Sequence, residues 1–193
     1  YATPNRDKAY SISSDNNGNF YITGYTDLTG SVNSSQFTVI SLNSQGNQRW
    51  IKNYQGIPGY SQDYATSIIY GDDGNIYVGG KLYHPGGLYN SLSLISLDTI
   101  GNERWSFRYN GPGNIGVAAT SILYKNVSIY IVGDFCFPVL NLNPNGGLGW
   151  IYRLEGYGSA YKGYAKCLEC DGEGNIYAGG YYRDSGFVII SLS

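Results

Sequence analysis

Methionine is absent from this chain of 193 residues, histidine occurs once, and long hydrophobic runs are missing. A membrane-spanning helix needs about 18 or more consecutive apolar residues, so the sequence predicts no membrane span. Charged residues make up only 13% and the net charge is -2, which argues against a surface that neutralises nucleic-acid phosphates. No signal-peptide or lipidation motif is visible, and a chain that begins at Tyr1 is interpreted as a mature product whose leader has been removed.

Groups suited to catalysis are also scarce. The single histidine, His84, lies in a Pro/Gly-rich segment, and every Ser–His–Asp arrangement would have to use it. Asp27, Asp134 and Asp184 each follow the second strand of a repeat and are the best candidates for a carboxylate pair of the kind that cleaves glycosides. Solvated loop acids are the ordinary interpretation, so we predict no catalytic residue, no cofactor and no enzymatic activity.

Three cysteines leave an odd count. Cys167 and Cys170 lie on a predicted strand, where residues three apart point to opposite faces, so a disulfide between them is disfavoured. A zinc site is disfavoured because there is no second Cys/His pair. We predict that Cys136 pairs with Cys167 or Cys170, and that the remaining thiol is buried or linked to a neighbouring chain.

Glycine, with 28 residues, and tyrosine, with 21, are abundant, and they recur at a fixed spacing from each other. A turn followed by a strand ending in Tyr, with a Gly three residues later, occurs four times. The repeat unit is about 50 residues, which is the length of a four-stranded propeller blade. The copies are anchored on Tyr21, Tyr77, Tyr130 and Tyr177, and a polar turn in the first three repeats leads to Trp50, Trp105 and Trp150.

Each repeat contains short runs of β-branched and aromatic residues separated by Gly, Asn and Asp, a pattern typical of antiparallel strands joined by hairpins. No window keeps a helical period. We therefore predict one all-β domain, a small β-propeller, with the recurring Trp and Tyr side chains packed between blades. The blades are expected at about 7–54, 63–109, 117–154 and 164–193.

Three recurring motifs carry a family resemblance: Asp-(Tyr/Lys)-Ala, Gly-Asn-Ile-Tyr-Val-Gly-Gly and Gly-Asn-x-x-Trp. They resemble the bacterial and archaeal β-propeller repeats often called SBBP repeats and, more distantly, the tryptophan-docking repeats of quinoprotein dehydrogenases. The resemblance covers nearly the whole chain, although Val127-Ser128 replaces Gly-Asn in the third copy. It implies a propeller fold and a secreted, cell-surface protein, and it transfers neither catalytic residues nor a quinoprotein cofactor site.

The last repeat provides one strand fewer than a full blade needs. Either the fourth blade has only three strands, or another chain supplies the missing one. An unpaired apolar edge is a template for the addition of a strand from a partner. The predicted assembly edge consists of Phe187, Val188, Ile189 and Ile190.

The leading functional hypothesis is an extracellular structural protein that assembles with copies of itself into a filament or surface layer through this edge. The alternative is a binding module whose loops, Thr26 to Gln36 and Leu82 to Ser91, present polar and aromatic side chains to a glycan or a surface protein. Glycosylation sequons at Asn33 and Asn126 fit secretion.

The turns that contain Asp15, Asp72 and Asp171 resemble fragments of calcium loops. None of them continues to the bidentate glutamate that a complete loop requires. Asp and Asn before Gly are also what a tight turn needs. The expected structure is therefore a tight turn without a metal, and calcium binding is the alternative.

Overall fold

The computed structural model describes residues 5–27, 29–30, 34–56, 61–83, 90–154, 163–182 and 186–192. These ranges contain strands and one short 3-10 turn, Pro112–Asn114, and no α-helix. Nothing helical within them has the length and hydropathy needed to cross a bilayer. The all-β class predicted from the sequence is confirmed.

The strands in the described ranges form four sheets, and apart from one short strand they are antiparallel and ordered as in the chain. The first consists of β1 (Lys8–Ser14), β2 (Phe20–Asp27), β3 (Ser34–Leu42) and β4 (Gln48–Tyr54), and the short β5 (Ser61–Gln62) pairs in parallel with β3. The second consists of β6 (Tyr64–Tyr70), β7 (Ile76–Tyr83), β8 (Asn90–Leu97) and β9 (Glu103–Tyr109). The third consists of β10 (Ala119–Lys125), β11 (Ser128–Gly133), β12 (Pro138–Leu142) and β13 (Leu148–Arg153). The fourth has three strands in the described residues, β14 (Gly163–Cys170), β15 (Ile176–Tyr182) and β16 (Gly186–Leu192).

One Asp or Asn side chain specifies each of five tight turns between strands. Asp15 Oδ1 accepts hydrogen bonds from the backbone N–H groups of Asn17 and Asn19, both at 2.9 Å, and Gly18 adopts a φ of 76°. A side-chain oxygen two atoms from the backbone is what this turn requires, and glycine adopts the positive φ without strain. The same arrangement recurs at Asn43, Asp98, Asn143 and Asp171.

The sheets pack in series through their first strands, with β1 against β6, β6 against β10, and β10 against β14. Three apolar cores lie between successive sheets. Within the described ranges, the strands of the first sheet make no substantial contact with those of the fourth. We call the side of a sheet that packs on the preceding sheet its front face and the opposite side its back face. On the first sheet, the front face is the side that carries the equivalent repeat positions. The front face of the first sheet and the back face of the fourth therefore lie at the two ends of the series.

Candidate functional site

The back face of each of the first three sheets carries one large apolar side chain at the same repeat position, in the third strand or, in the third sheet, directly before it. Phe37, Leu92 and Phe137 hold this position, and all three are completely buried. Each of them lies over a glycine in the second strand of the next sheet, where an added Cβ atom would come closest to the backbone at the start of that sheet's own first strand and would also crowd the covering ring or methyl group. The covered glycines are Gly80, Gly133 and Gly180, and an added Cβ atom at these positions would lie 2.7 Å from Phe37, 3.1 Å from Leu92 and 2.8 Å from Phe137, respectively.

In the fourth sheet, Phe187 holds this position but is 78% exposed. Ile189, two residues later, is 63% exposed, although its counterparts Val39, Leu94 and Val139 are completely buried. The back face of the fourth sheet therefore has the same apolar character as the others, but none of the described strands packs on it.

The four residues of the predicted assembly edge do not act together. Val188 and Ile190 point to the front face and pack into the core shared with the third sheet, next to Phe137 and Val139. Alternation along a strand sends Phe187 and Ile189 to the opposite side. The structure thus places only these two on the open surface, and they lie on a face of the sheet rather than along its backbone edge.

The front face of the first sheet is open as well. Ile12, Ile22, Ile40 and Ile51 lie directly opposite one another on four adjacent strands and form a continuous row. Ile12 is 61% exposed, and the other three are partly exposed. In the second and third sheets, the first three members of the corresponding row are buried, namely Ile68, Val78 and Ile95, and Ile122, Ile131 and Leu140.

A cavity of about 290 Å³ lies beside this isoleucine row. Ala9, Ile22, Gly24 and Ile40 are among the residues that line it. Gly24 has the same position in its repeat as the three covered glycines of the other sheets. The first sheet therefore carries a hollow at the place where the later sheets receive a Phe or Leu side chain.

Polar contacts accompany the apolar ones where the second and third sheets meet. Thr66 Oγ1 donates a hydrogen bond to the carbonyl oxygen of Ala119 at 2.8 Å, and the N–H of Ile122 donates to Ser67 Oγ at 3.2 Å. Between the third and fourth sheets, Thr120 Oγ1 likewise donates to the carbonyl oxygen of Ala165 at 2.8 Å. On the fourth sheet, the exposed Lys166 and Cys167 stand where Thr66 and Ser67 stand on the second.

Two of the recurring tryptophans bridge successive sheets. Trp50 Nε1–H donates to the carbonyl oxygen of Thr99 at 3.0 Å, and Trp105 Nε1–H donates to that of Pro144 at 2.8 Å. Each ring rests on the glycine of the same turn, since a Cβ at Gly101 or Gly146 would come within 2.9 or 2.8 Å of it. Trp150 is 40% exposed, and the described residues include no following turn of this kind to receive it.

Three of the anchoring tyrosines form hydrogen bonds with the preceding turn. The hydroxyl groups of Tyr21, Tyr77 and Tyr177 donate to Asp15, Asp73 and Asp171 at 2.8, 2.6 and 3.0 Å. Burial, together with the neighbouring Asp15 carboxylate, raises the pKa of Tyr21 to about 12. Tyr21 and Tyr77 also stack on a tyrosine of the next sheet, Tyr70 and Tyr124, with ring centroids 6.2 and 5.6 Å apart. The ring of Tyr130 lies 6.2 Å from that of Trp150.

Hydrogen bonds within the turns engage two of the three carboxylates named as possible calcium ligands, Asp15 and Asp171, and in the third turn they engage Asp73, next to Asp72. Asp15 Oδ2 accepts from Asn19 Nδ2 at 2.7 Å in addition to Tyr21. Burial acts to raise the pKa of Asp15, but these hydrogen bonds outweigh it and hold the pKa below its usual value. The hydrogen bond from Asn175 is the main reason why the pKa of Asp171 is lowered to about 2. No cluster of three or more His, Cys, Asp or Glu residues suited to a metal occurs in the described ranges.

The predicted disulfide of Cys136 does not form, and all three cysteines are free thiols. Cys136 is buried just before β12, where the carboxyl end of β11 is nearby. Cys170 lies at the opposite end of the strands, beside the turn into β15. Cys167 is exposed on the back face of the fourth sheet, so that sheet separates it from Cys136.

The candidate acids are engaged in structural hydrogen bonds. Asp27 accepts a hydrogen bond of 2.6 Å from Ser34 Oγ, which is the main cause of its lowered pKa. Asp134 accepts from the N–H of Ala118 at 2.6 Å, and burial raises its pKa although Lys166 and Lys81 oppose the shift. Asp184, His84 and Asn33 lie outside the described residues, and Asn126 is exposed.

A second cleft, of about 260 Å³, lies at the rim of the first two sheets. The ring of Tyr10 forms one wall and lies 6.1 Å from Tyr25 and 6.4 Å from Tyr64. Polar side chains supply the remainder of the lining, namely Arg6, Asp27, Ser35 and Gln62.

No protein-family model matches the sequence, and no curated protein matches it either. Among solved structures, a protein of unknown function from Bacteroides caccae superposes with a TM-score of 0.57 at 11% identity, covering 100% of this chain and 59% of that one. A glycosyl hydrolase from Bacteroides ovatus gives a TM-score of 0.50 at 10% identity, covering 97% and 66%. An endo-arabinanase from Bacillus licheniformis gives 0.44 at 17% identity, covering 94% and 72%.

The likeness to the first two structures supports a propeller-like arrangement of sheets and shows nothing about chemistry, because the identities are so low. The chain spans about three fifths to two thirds of the length of the first two structures.

Proposed function

We propose that this chain is a non-enzymatic structural module of four propeller blades, the last with three strands, that associates with copies of itself outside the cell to form a filament or surface layer. One observation carries the proposal. Phe187 and Ile189 are exposed at repeat positions that are completely buried in the other three sheets. Apolar side chains clustered on one surface mark interaction sites in soluble proteins.

The energy available at this surface supports association. Burying a large aliphatic or aromatic side chain contributes about 1.5–3 kcal/mol. Tyr181 lies directly across from Phe187 on the neighbouring strand and extends the apolar surface. The low fraction of charged residues also reduces repulsion between copies.

The test is the mass of the purified chain as a function of concentration, measured by light scattering and sedimentation with reductant present. Association should raise the mass above 21.1 kDa at increasing concentration. The double variant Phe187→Asp/Ile189→Asp should remain at the monomer mass. Ile100→Asp is the matched control, because Ile100 is an equally exposed aliphatic residue on a turn away from both open faces. A monomer at every concentration, or association that survives the double substitution, would refute the proposal.

The cleft bounded by Tyr10, Tyr25 and Tyr64 favours a second function, the binding of a glycan. Aromatic faces beside hydrogen-bonding groups suit the apolar and polar sides of a sugar ring, and this cleft offers both. Binding to a glycan array that Tyr10→Ala abolishes, while Tyr181→Ala preserves it, would support this function. The absence of binding to every sugar on the array would contradict this function.

A further inference from the structure

We propose that the occupant of the fourth sheet's back face is the front face of the first sheet in a second copy of this chain. In this junction, Phe187 of one copy fills the cavity beside Gly24 of the next. The inference rests on the proposed function, because it names the partner surface of the same association.

The first argument is repetition within the chain. Three internal junctions each join a back face to a front face, and in each a Phe or Leu side chain covers a glycine of the following sheet. The chain carries a fourth back-face residue, Phe187, and a fourth front-face glycine, Gly24. These two positions complete the series, and they lie at opposite ends of it.

The second argument is the fit of the surfaces. A cavity of about 150 Å³ is enough to hold a benzene ring, and the cavity beside Gly24 measures about 290 Å³. The isoleucine row next to it supplies the same aliphatic surface that the buried rows supply inside the molecule. The cavity on the first sheet therefore has the size and chemistry needed to hold the exposed ring of Phe187.

The third argument concerns the polar contacts of the internal junctions. In two of them, the N–H of an isoleucine in the later sheet donates to a serine hydroxyl of the earlier one, Ile68 to Ser11 at 3.3 Å and Ile122 to Ser67 at 3.2 Å. Cys167 has the position of these serines, and Ile12 has the position of these isoleucines. In the proposed junction the thiol of Cys167 thus faces the backbone of Ile12 in the neighbouring copy.

The resulting contact is heterologous, because one copy uses its last sheet and the other its first. Repetition of such a contact produces a ring if the rotation closes and a filament if it does not. An isologous contact between two fourth sheets would leave every isoleucine row uncovered. The two arrangements therefore predict different behaviour for variants of the first sheet.

Two variants with complementary defects test the inference. Phe187→Asp/Ile189→Asp disables the last sheet and leaves the first intact, while Ala9→Asp/Ile12→Asp does the reverse. Each alone should be monomeric, and an equimolar mixture should form a heterodimer of twice the monomer mass. Circular dichroism and the Tm of each variant check that both are folded, which is expected since all four side chains are exposed.

The outcomes separate this inference from the proposed function. If the unaltered chain is always monomeric, the function itself fails. If the chain associates and only Phe187→Asp/Ile189→Asp prevents it, association stands but the first sheet is not the partner, and the inference is overturned. The same holds if both variants are monomeric and folded but their mixture gives no heterodimer.

Cross-linking provides an independent measurement of the geometry. In a chain with Cys136→Ala and Cys170→Ser, Cys167 is the one remaining thiol, and Ile12→Cys adds its expected partner. Mild oxidation should then give a ladder of covalent oligomers on a non-reducing gel. Ile100→Cys in the same background is the control and should give only the dimers expected from random collision. Equal yields from the two variants would contradict the proposed contact.

Discussion

The junction between the second and third sheets and the two open faces at the ends of the series are built from the same repeat positions. At the junction, Leu92 covers Gly133 and the row that begins at Ile122 is buried. At the ends, Phe187 and the row that begins at Ile12 have the same chemistry without a neighbour. A repeat thus specifies both halves of an interface in every copy, and each half is buried or exposed according to whether a sheet lies next to it.

The ends differ from the junctions in their polar and aromatic details. The stacked pair Tyr77 and Tyr124 contributes to the junction, but in the first sheet Ser14 occupies the position of Tyr124. Aromatic pairs add about 0.5–1.5 kcal/mol beyond the area they bury. An end-to-end junction is therefore expected to be weaker than an internal one, as a reversible contact requires.

The most direct test of this comparison is to truncate the same side chain at an internal junction and on an open end face. Phe37→Ala should lower the free energy of unfolding by about 3–5 kcal/mol, because it leaves a cavity over Gly80 in a packed core. Phe187→Ala should change it by no more than about 0.5 kcal/mol in dilute solution, where the ring faces water. Urea denaturation of both variants measures the difference. Equal losses would mean that Phe187 is already buried in the isolated chain.

The front faces permit the same comparison. Ile122→Ala should cost about 2–5 kcal/mol of unfolding free energy, since its side chain packs against the backbone of Gly79 in the preceding sheet. Ile12→Ala should leave the stability of the monomer nearly unchanged and weaken association instead. Sedimentation at several concentrations, together with urea midpoints, separates the two effects. A large loss of monomer stability in Ile12→Ala would show that the first sheet is covered within the same chain.

The tryptophans should give a smaller contrast. Trp105→Phe keeps an aromatic ring but removes the hydrogen bond to Pro144, so a loss of about 0.5–1.5 kcal/mol is expected. Trp150→Phe should cost less, because the indole is partly exposed. Thermal unfolding of the two variants under identical conditions provides the test, and a larger effect at Trp150 would contradict the proposed role of the bridging hydrogen bond.

The sequence predicts the sheets well because their signals are local. Turn residues such as Asp15 and Gly18 fix each hairpin within a few positions, and Tyr and Gly mark the second strand of every repeat. The position of Phe187 and Val188 on opposite faces also follows from the sequence, because side chains alternate between the two faces along a strand. The prediction of a single assembly edge follows from the missing strand of the last repeat, which exposes a backbone edge, whereas the exposed side chains lie on a face of the sheet.

The complementary ends were not predicted, although a signal was present. The Gly three residues after each Tyr marks the repeat; it lies close to the backbone at the start of the first strand of its own sheet, and in the last three sheets it also lies under a side chain of the preceding sheet. Such a contact joins residues more than forty positions apart, as Phe37 and Gly80 are, and no local pattern reports it. An alignment of the four repeats would identify Phe187 and Gly24, because the equivalent positions of the other repeats are paired across the internal junctions.

The smallest effect is expected in the turns, where the ends and the interior are alike. Asp98 accepts hydrogen bonds from the N–H groups of Ile100 and Asn102, and Asn43 and Asn143 do the same in the equivalent turns. Asp98→Asn should therefore change the unfolding free energy at pH 7 by no more than about 0.5 kcal/mol.

The acid response of this variant should differ from that of the unaltered chain. Burial acts to raise the pKa of Asp98, but hydrogen bonds from Asn102 and Ile100 outweigh it and hold the pKa below the ordinary value of 3.8. A carboxylate with a lowered folded-state pKa stabilises the fold above the unfolded pKa, and this contribution is lost as the pH falls through the folded value. Asparagine does not titrate, so the urea midpoint of Asp98→Asn should fall less between about pH 5 and pH 2 than that of the unaltered chain. An identical fall in both would show that this carboxylate contributes nothing to acid stability and that other groups dominate.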